Sequence, residues 1–305
     1  MCEHVEKAEK ITIRSFDGET KQEGKKLERR AVSLSNAVRA YLKTRTMKLA
    51  REIAGEVKET GNVLRLKKAK RMTKEQKKLL RLLSFYGIRQ ITDSGKEFAG
   101  SEWVIPNTFV SDYLSQKEIL IQQLDASIEK EFRQAVSRAL SQWMNESPRP
   151  TIQQISQRLR TWLTVSSEED APTELKPLGN KFTVEGLAAR ARMIARTEIN
   201  AARNYGRVEA GKLMGRTHLV WLAYNDGRSG KRQHDALDGQ IVEMGKPFKN
   251  PKTGAQLLYP GDPQATQRFR RGGKVVRGNA ASEIINCRCS VRPITAQMAE
   301  RLRGR

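Results

Sequence analysis

Long apolar runs, cysteines and aromatic side chains are all scarce in this sequence of 305 residues. No stretch of about 18 or more apolar residues occurs, so we expect no transmembrane helix and no secretory signal at the N-terminus. The three cysteines include Cys287 and Cys289, whose spacing is too short for an ordinary disulfide, which predicts a disulfide-free fold in a reducing compartment. Hydrophobic residues make up 38% and aromatic residues 6%, so we expect compact folding over only part of the chain.

Acidic side chains are also few relative to basic ones. The chain has 57 Lys and Arg against 34 Asp and Glu, which gives a formal net charge of +23 at pH 7. The excess is +12 over residues 1–100 and +14 over residues 181–305, whereas residues 101–180 carry −3. Two basic regions around a near-neutral middle make an acidic polymer or surface, nucleic acid or anionic lipid, the first partner to consider.

The densest basic cluster lies between Arg65 and Arg81. Thr73 followed by Gln76 matches a capping box, which predicts a short basic-faced helix after it. Such a helix can bind phosphates, a membrane surface or an acidic partner, or it can be only a solvated face. A second basic segment, over residues 264–281, is rich in Arg and Gly and is expected to be mobile. The candidate nucleic-acid-binding residues are Arg65, Lys67, Lys68, Lys70, Arg71, Lys74, Lys77, Lys78, Arg81, Arg268, Arg270 and Arg271.

Apolar periodicity predicts helices over residues 27–60, 111–145 and 184–213. Thr151 and Gln154 match a second capping box, and residues 61–110 are predicted to mix a short helix with turns at Gly87, Gly95 and Gly100. From residue 218 the pattern changes to short strands, which predicts a small, mostly antiparallel sheet. The fold class is therefore α+β.

The acidic, Pro- and Gly-containing stretch over residues 166–182 predicts a linker between two regions. Residues 1–165 form a basic, mainly helical N-terminal region in this interpretation. Residues 183–305 form a compact C-terminal domain with one long helix and the sheet.

Three motifs in the C-terminal region carry the most information. The first is Ala195-Arg196-Thr197-Glu198 on the predicted long helix. The second is Asp226-Gly227-Arg228, followed by His234 and then Leu237-Asp238-Gly239. The third is Asn286-Cys287-Arg288-Cys289. With Trp221 between them, their order and spacing over residues 183–295 resemble the phage Mu F-like minor head proteins, also called the phage head morphogenesis family. The family-motif residues with an expected structural role are Arg196, Thr197, Glu198, Trp221, Asp238, Gly239 and Asn286.

The resemblance implies a minor capsid protein of a tailed bacteriophage that acts in procapsid assembly and is not an enzyme. It implies association with the portal protein through the N-terminal region, with scaffold and major capsid protein as further candidate partners. It also implies a place inside the virion head, and in the host cytoplasm during assembly. The absence of a helix-turn-helix or zinc-finger signature favours non-specific binding of DNA. The alternatives are a metal-dependent nuclease or toxin-like hydrolase on the same C-terminal domain, and a chromosomal DNA-binding module.

The His and Cys residues of the motifs raise the question of a zinc site. His234, Cys287 and Cys289 offer nitrogen and sulfur ligands, and Asp226 or Asp238 could add an oxygen ligand. Many relatives that the sequence resembles have Cys-x-x-Cys where this chain has residues 231–234, so one ligand of that set is missing. The alternative is that the three side chains brace a small β-rich core.

Overall fold

The structure is a computed structural model that describes residues 13–60, 72–148, 150–224, 234–271 and 274–304. The predicted sites at Arg65, Lys67, Lys68, Lys70, Arg71 and Asp226 lie outside these residues. None of the helices in the described part of the chain combines the length and the apolarity that a membrane span requires.

The described residues form an α+β fold in two compact units, each built from separate segments of the chain. The helical unit comprises Ser33–Phe85 and Thr108–Met193, and the mixed unit comprises Met1–Val32, Tyr86–Asn107 and Ile194–Arg305. This division differs from the predicted regions 1–165 and 183–305, because three long helices each contribute residues to both units. They are α1 (Ile13–Thr60), α2 (Lys74–Ala99) and α5 (Val184–Leu213).

The helical unit packs α1 against α3 (Asn107–Trp143). Both helices bury the apolar positions that their periodicity predicts, among them Leu42 of α1 and Phe132 of α3. Buried polar pairs fix how the two helices meet. Arg45 donates to Asp125 at 2.8 and 3.2 Å, and Arg133 donates to Glu56. The apolar stripes therefore supply the packing energy, and the charged pairs set the relative position of the helices.

Both predicted capping boxes are confirmed. The Thr73 amide donates to Gln76 Oε1 at 2.7 Å while the Gln76 amide donates to Thr73 Oγ1 at 3.2 Å. Thr151 and Gln154 form the same pair at the start of α4 (Ile152–Trp162). Each box satisfies two amides that the first turn of a helix leaves without a partner.

The predicted turns at Gly87 and Gly95 are wrong, because α2 runs unbroken to Ala99. A Cβ atom at position 95 would lie 2.2 Å from the Trp103 indole, so this glycine serves close packing inside the helix. Gly100, whose φ is +99°, follows the end of the helix.

Residues 166–182, predicted as a linker, are packed into the helical unit. Two 3-10 helices, Thr173–Leu178 and Asn180–Phe182, bury Leu175, Leu178 and Phe182. The Trp143 indole donates to the Glu174 carbonyl at 2.7 Å, and the Phe182 ring packs edge-on against Phe132 with centroids 5.0 Å apart. The acidic side chains that suggest a linker stay exposed, while apolar side chains spaced between the polar ones anchor the segment.

The mixed unit contains two antiparallel sheets rather than the single small sheet predicted. The first has the strand order β2-β1-β7, and the second has the order β3-β4-β5-β6. The strands are β1 (His218–Leu222), β2 (Ile241–Glu243), β3 (Phe248–Lys249), β4 (Gln256–Leu257), β5 (Thr266–Arg271), β6 (Lys274–Asn279) and β7 (Ser290–Ile294). Two short helices, α6 (Ala281–Ile284) and α7 (Ala296–Arg303), flank β7.

Strand β1 is buried on both faces, which explains its unbroken apolar sequence. Leu219 and Trp221 point into a core with Phe248 and Leu257, whereas Val220 and Leu222 belong to a second cluster with Ala299 of α7. In the register of β1 with β7, Trp221 pairs with Val291. This arrangement puts the segment before β7 beside Trp221, where the candidate site lies.

The expectation that residues 264–281 are mobile is wrong for the described part of this segment, which forms two strands. Strands β5 and β6 form an antiparallel hairpin in which Thr266 pairs with Asn279 and Arg271 pairs with Lys274. The Arg and Gly content obscures Thr, Phe and Val residues that favour strands, and Gly272-Gly273 is a sequence typical of a hairpin connection.

Candidate metal centre

Three potential metal ligands converge in the core of the mixed unit. His234 begins a 3-10 helix, His234–Leu237, and Cys287 and Cys289 lie between α6 and β7. The His234 Nδ1 atom is 3.5 Å from the sulfur of Cys287 and 3.5 Å from the sulfur of Cys289. All three side chains are buried, and within the described residues they are the group able to hold a metal ion.

Glu283 fixes the other side of the imidazole. Its Oε2 atom lies 2.9 Å from His234 Nε2 and also accepts from Asn250 Nδ2 at 3.3 Å. The edge of the His234 ring packs against the Trp221 indole, with ring centroids 5.4 Å apart. The carboxylate therefore holds the proton on Nε2 and turns Nδ1 toward the two thiols.

The backbone turns before the two cysteines. Asn286 has a φ of 60°, a left-handed conformation in which Asn is enriched among the residues other than glycine. Cys287 and Cys289 follow this residue and precede β7, and both of their sulfur atoms face His234 Nδ1. The turn at Asn286 therefore leads into the segment that presents both thiols to one nitrogen.

Helix α5 holds the Cys289 backbone through a row of buried polar side chains. The Cys289 carbonyl accepts from Asn200 Nδ2 at 3.2 Å, from Arg203 Nη2 at 3.3 Å and from Asn204 Nδ2 at 3.2 Å. Asn204 Oδ1 in turn accepts from the Val291 amide at 3.1 Å. Because the Asn204 side chain bonds the backbone on both sides of Ser290, helix α5 fixes the backbone that leads from Cys289 into β7.

The Arg196-Thr197 pair holds the turn itself. Thr197 Oγ1 accepts from the Asn286 amide at 2.8 Å, and Arg196 donates to Asn286 Oδ1. Arg196 also donates to Glu28 Oε2 at 2.8 Å, and Arg288 forms an ion pair with the same carboxylate at 3.2 Å. The motif on α5 therefore braces the Cys-x-Cys segment by hydrogen bonds, some of them charge-assisted.

Burial and hydrogen bonding shift the protonation of the group. Burial lowers the pKa of His234, but the hydrogen bonds to Cys289 and Glu283 outweigh it and raise the pKa to about 9. The hydrogen bond to Cys287 and complete burial raise the pKa of the Cys289 thiol well above its ordinary value. A metal ion would therefore displace protons as it binds, which makes binding dependent on pH.

The distances between the three donors are those expected for three of the four ligands of a tetrahedral zinc ion. Tetrahedral zinc with Zn–S bonds of about 2.3 Å and Zn–N bonds of about 2.0 Å places nitrogen and sulfur about 3.5 Å apart. The two His234–Cys distances match this value. A carboxylate on the second imidazole nitrogen is also the usual companion of a zinc-bound histidine. Of the two oxygen ligands expected, Asp226 lies outside the described residues, and Asp238 Oδ1 accepts instead from the Ala223 amide at 2.8 Å.

The remaining motif residues have positions away from the metal group. Gly239, whose φ is +71°, closes the turn after Leu237, and its amide donates to the Trp221 carbonyl at 2.9 Å. Glu198 is half-buried on α5 and does not belong to the His and Cys group.

Two acidic residues at the site, Glu283 and Glu28, were not predicted from the sequence. The signal for Glu283 is weak, namely one glutamate within a short apolar run before Cys287.

Five of the candidate nucleic-acid-binding residues are exposed in the described part of the chain. Lys74, Lys77, Lys78 and Arg81 are exposed on α2 in the helical unit. Arg268 is exposed on β5 in the mixed unit, and Arg270 and Arg271 belong to the same strand. These two groups therefore belong to different units.

Comparison with known proteins identifies the family. Residues 128–292 match the family described as Phage Mu protein F like protein. The match covers more than half of the chain and includes His234, Cys287 and Cys289, so the chain belongs to this family. The family match begins at residue 128, within α3, whereas the motif resemblance begins at residue 183. No curated protein and no solved structure shows significant similarity to the chain.

Proposed function

We propose that the protein is a minor capsid protein of a tailed bacteriophage that takes part in procapsid assembly. Membership of the Mu F-like family supports a role in phage head morphogenesis and a place in the virion, and it favours a structural role over a hydrolase. The family match is the observation that carries the proposal. Within this family assignment, Arg196 and Thr197 of the motif on α5 hold the Cys-x-Cys segment through hydrogen bonds with Asn286.

Mass spectrometry of purified particles tests this assignment. We expect the chain in every particle preparation, in a small fixed number relative to the portal protein and far below the major capsid protein. Particles assembled without the chain should show altered yield or infectivity. Complete absence of the chain from mature particles and procapsids would refute a role as a capsid component.

We propose further that the helical unit contacts the portal protein during assembly in the host cytoplasm, and that the protein then remains inside the head. Scaffold and major capsid protein are further candidate partners. Co-expression of the full chain with the portal, followed by affinity capture of the portal, should recover both proteins. Arg138→Glu and Arg192→Glu, two exposed positions of the helical unit, would locate the contact if either one abolishes capture.

We propose a structural zinc ion at His234, Cys287 and Cys289, and expect about one zinc per chain by elemental analysis. His234→Ala and Cys289→Ser should lower that ratio at least tenfold, because each removes a ligand. His218→Ala is the matched control, since His218 lies on β1 outside the group. A ratio near zero for the wild type, purified with zinc supplied, would assign the three side chains to packing alone.

We propose also that the exposed cations of α2 contact DNA without reading its sequence. Lys74, Lys77, Lys78 and Arg81 present positive charge along one helix, as phosphate binding requires. Binding of a labelled duplex should weaken as salt increases and should not depend on base sequence. Preference for one sequence over scrambled controls would contradict this proposal.

A further inference from the structure

Helix α1 carries a set of exposed cations that are not among the predicted nucleic-acid-binding residues. Arg39, Lys43, Lys48 and Arg51 are exposed, whereas Leu42 and Leu49 between them are buried. On α2, Lys74, Lys78 and Arg81 recur at four- and three-residue spacing on the face opposite the core, with Lys77 beside them. Among the described residues 33–57 and 72–85, Glu52 is the one acidic side chain that is exposed to the same degree.

The two sets of cations lie on neighbouring helices of the same unit. Lys48 Nζ is 4.0 Å from Glu75 Oε2, which places the first turn of α2 beside the middle of α1. The Glu75 carboxylate also interacts electrostatically with two residues of α1, Tyr41 and Arg45. Because α1 and α2 adjoin at this contact, their exposed cations are grouped under one name, the α1–α2 basic surface, which comprises Arg39, Lys43, Lys48, Arg51, Lys74, Lys77, Lys78 and Arg81.

We propose that the α1–α2 basic surface binds the phosphate backbone of double-stranded DNA, and that α1 contributes as much to this binding as α2. The inference rests on the DNA contact proposed above and extends it to residues of α1. Cations recur at roughly one turn, about 5.4 Å, along α2. A duplex presents one phosphate about every 1.7 Å of its axis, so each cation of the surface can neutralise a phosphate.

The pattern of burial disfavours a membrane as the partner. An interfacial helix needs an apolar face of its own to insert between lipids. The apolar residues of α1, among them Val38, Leu42 and Leu49, are fully buried in the protein core. The large exposed apolar side chains on this part of α1 and α2 are Met47 and Phe85, too few for an inserted face. A charged polymer that binds by its backbone fits the surface better.

Charge-neutralised variants of the full chain test the proposal. The α1 variant carries Arg39→Gln, Lys43→Gln and Arg51→Gln, and the α2 variant carries Lys74→Gln, Lys78→Gln and Arg81→Gln. The matched control carries Lys130→Gln, Arg138→Gln and Arg192→Gln, three exposed cations on other helices of the same unit. Far-UV circular dichroism checks that each variant is folded. Fluorescence anisotropy measures the affinity for a labelled duplex of arbitrary sequence over a range of salt concentrations.

Each lost phosphate contact should flatten the plot of log affinity against log salt by about 0.9. The α1 and α2 variants should therefore each flatten the slope by up to about 2.7, and the control variant should leave it unchanged. A slope unchanged in the α1 variant but flattened in the α2 variant would overturn the inference and leave the DNA contact of α2 intact.

Two other results would also overturn the inference. One is a wild-type chain that does not bind duplex DNA. The other is loss of portal capture in the α1 variant with unchanged DNA binding, which would assign the surface to an acidic protein. Detection of the chain in particles is independent of all these results, so the proposed role as a capsid protein is tested separately.

Discussion

Asn204 connects four parts of the mixed unit through one fully buried amide. Its Nδ2 atom donates to the carbonyls of Asn200, Pro260 and Cys289, and its Oδ1 atom accepts from the Val291 amide. A buried backbone group that loses its partner costs about 1–3 kcal/mol. The side chain therefore stabilises the Cys-x-Cys segment although it does not belong to the metal group.

We expect Asn204→Ala to lower the free energy of unfolding by about 3 kcal/mol, because it removes the side chain that bonds the buried Val291 amide and the Pro260 carbonyl. Asn36→Ala, at an exposed position on α1, is the matched control and should change it by less than about 0.5 kcal/mol. Urea denaturation monitored by tryptophan fluorescence measures both. Equal effects of the two substitutions would show that the buried amide contributes little.

Glu131 provides a prediction about pH in the helical unit. Burial raises the pKa of Glu131, but hydrogen bonds and charge attraction from Arg190, with help from Ser127 and Lys181, outweigh it and lower the pKa. A lowered pKa means that the carboxylate stabilises the fold above its unfolded pKa of about 4.3 and that this stability is lost as the pH falls further.

Glu131→Gln should therefore lower the free energy of unfolding by about 1 kcal/mol at pH 7. The substitution should have almost no effect at a pH low enough to protonate Glu131 in the folded protein. Glu118→Gln, at an exposed position on the same helix, is the control and should have little effect at either pH. Denaturation curves over a series of pH values give the comparison. A destabilisation by Glu131→Gln that does not diminish in acid would indicate lost packing rather than a lost ion pair.

At the scale of secondary-structure elements, two glycines in helices serve different purposes. Gly206 of α5 lies against the backbone of α2, because a Cβ atom there would be 2.5 Å from the Ile91 carbonyl oxygen. Gly55 of α1 is exposed, and a Cβ atom there would meet nothing within 4 Å. The first glycine permits close helix packing, whereas the second only weakens its own helix.

Gly206→Ala should therefore destabilise the protein by about 1–3 kcal/mol, since backbone atoms must move to make room. Gly55→Ala should stabilise it by about 0.5–1 kcal/mol, because alanine favours the helix and occupies open space. Thermal and urea denaturation of both variants measure these opposite signs. Similar effects of the two substitutions would contradict the assigned contact with Ile91.

Elements that depend on local spacing could be predicted from the sequence, and those that depend on distant contacts could not. Helices α3 and α5 and both capping boxes follow from residues three or four apart. The need for glycine at position 95 inside a helix depends on Trp103, and the packing of Phe182 depends on Phe132. The same limit holds at the candidate site. His234, Cys287 and Cys289 carry recognisable chemistry, whereas Glu28 is 168 residues from Arg196, so no local pattern connects them.

At the scale of the whole molecule, sequence order does not match the compact units. The mixed unit joins residues near the N-terminus, a central segment and the C-terminal part of the chain. Glu28 pairs with Arg196 and Arg288, and Ile91 contacts Gly206. The predicted C-terminal domain, residues 183–305, therefore lacks segments on which its own long helix packs.

A fragment of residues 183–305 should consequently fail to fold stably, because it exposes the face of α5 that Ile91 covers and leaves Arg196 without Glu28. Hydrogen exchange at the β1 amides measures this directly, since the Trp221 amide donates to the Gln240 carbonyl at 2.9 Å in the intact chain. The control is the full chain cut, after folding, at a protease site placed in the exposed stretch Glu168–Asp170, which keeps every segment of the mixed unit. We expect protection of β1 in the cut full chain and rapid exchange in the fragment. Equal protection in both would mean that residues 183–305 carry all the contacts that the mixed unit needs.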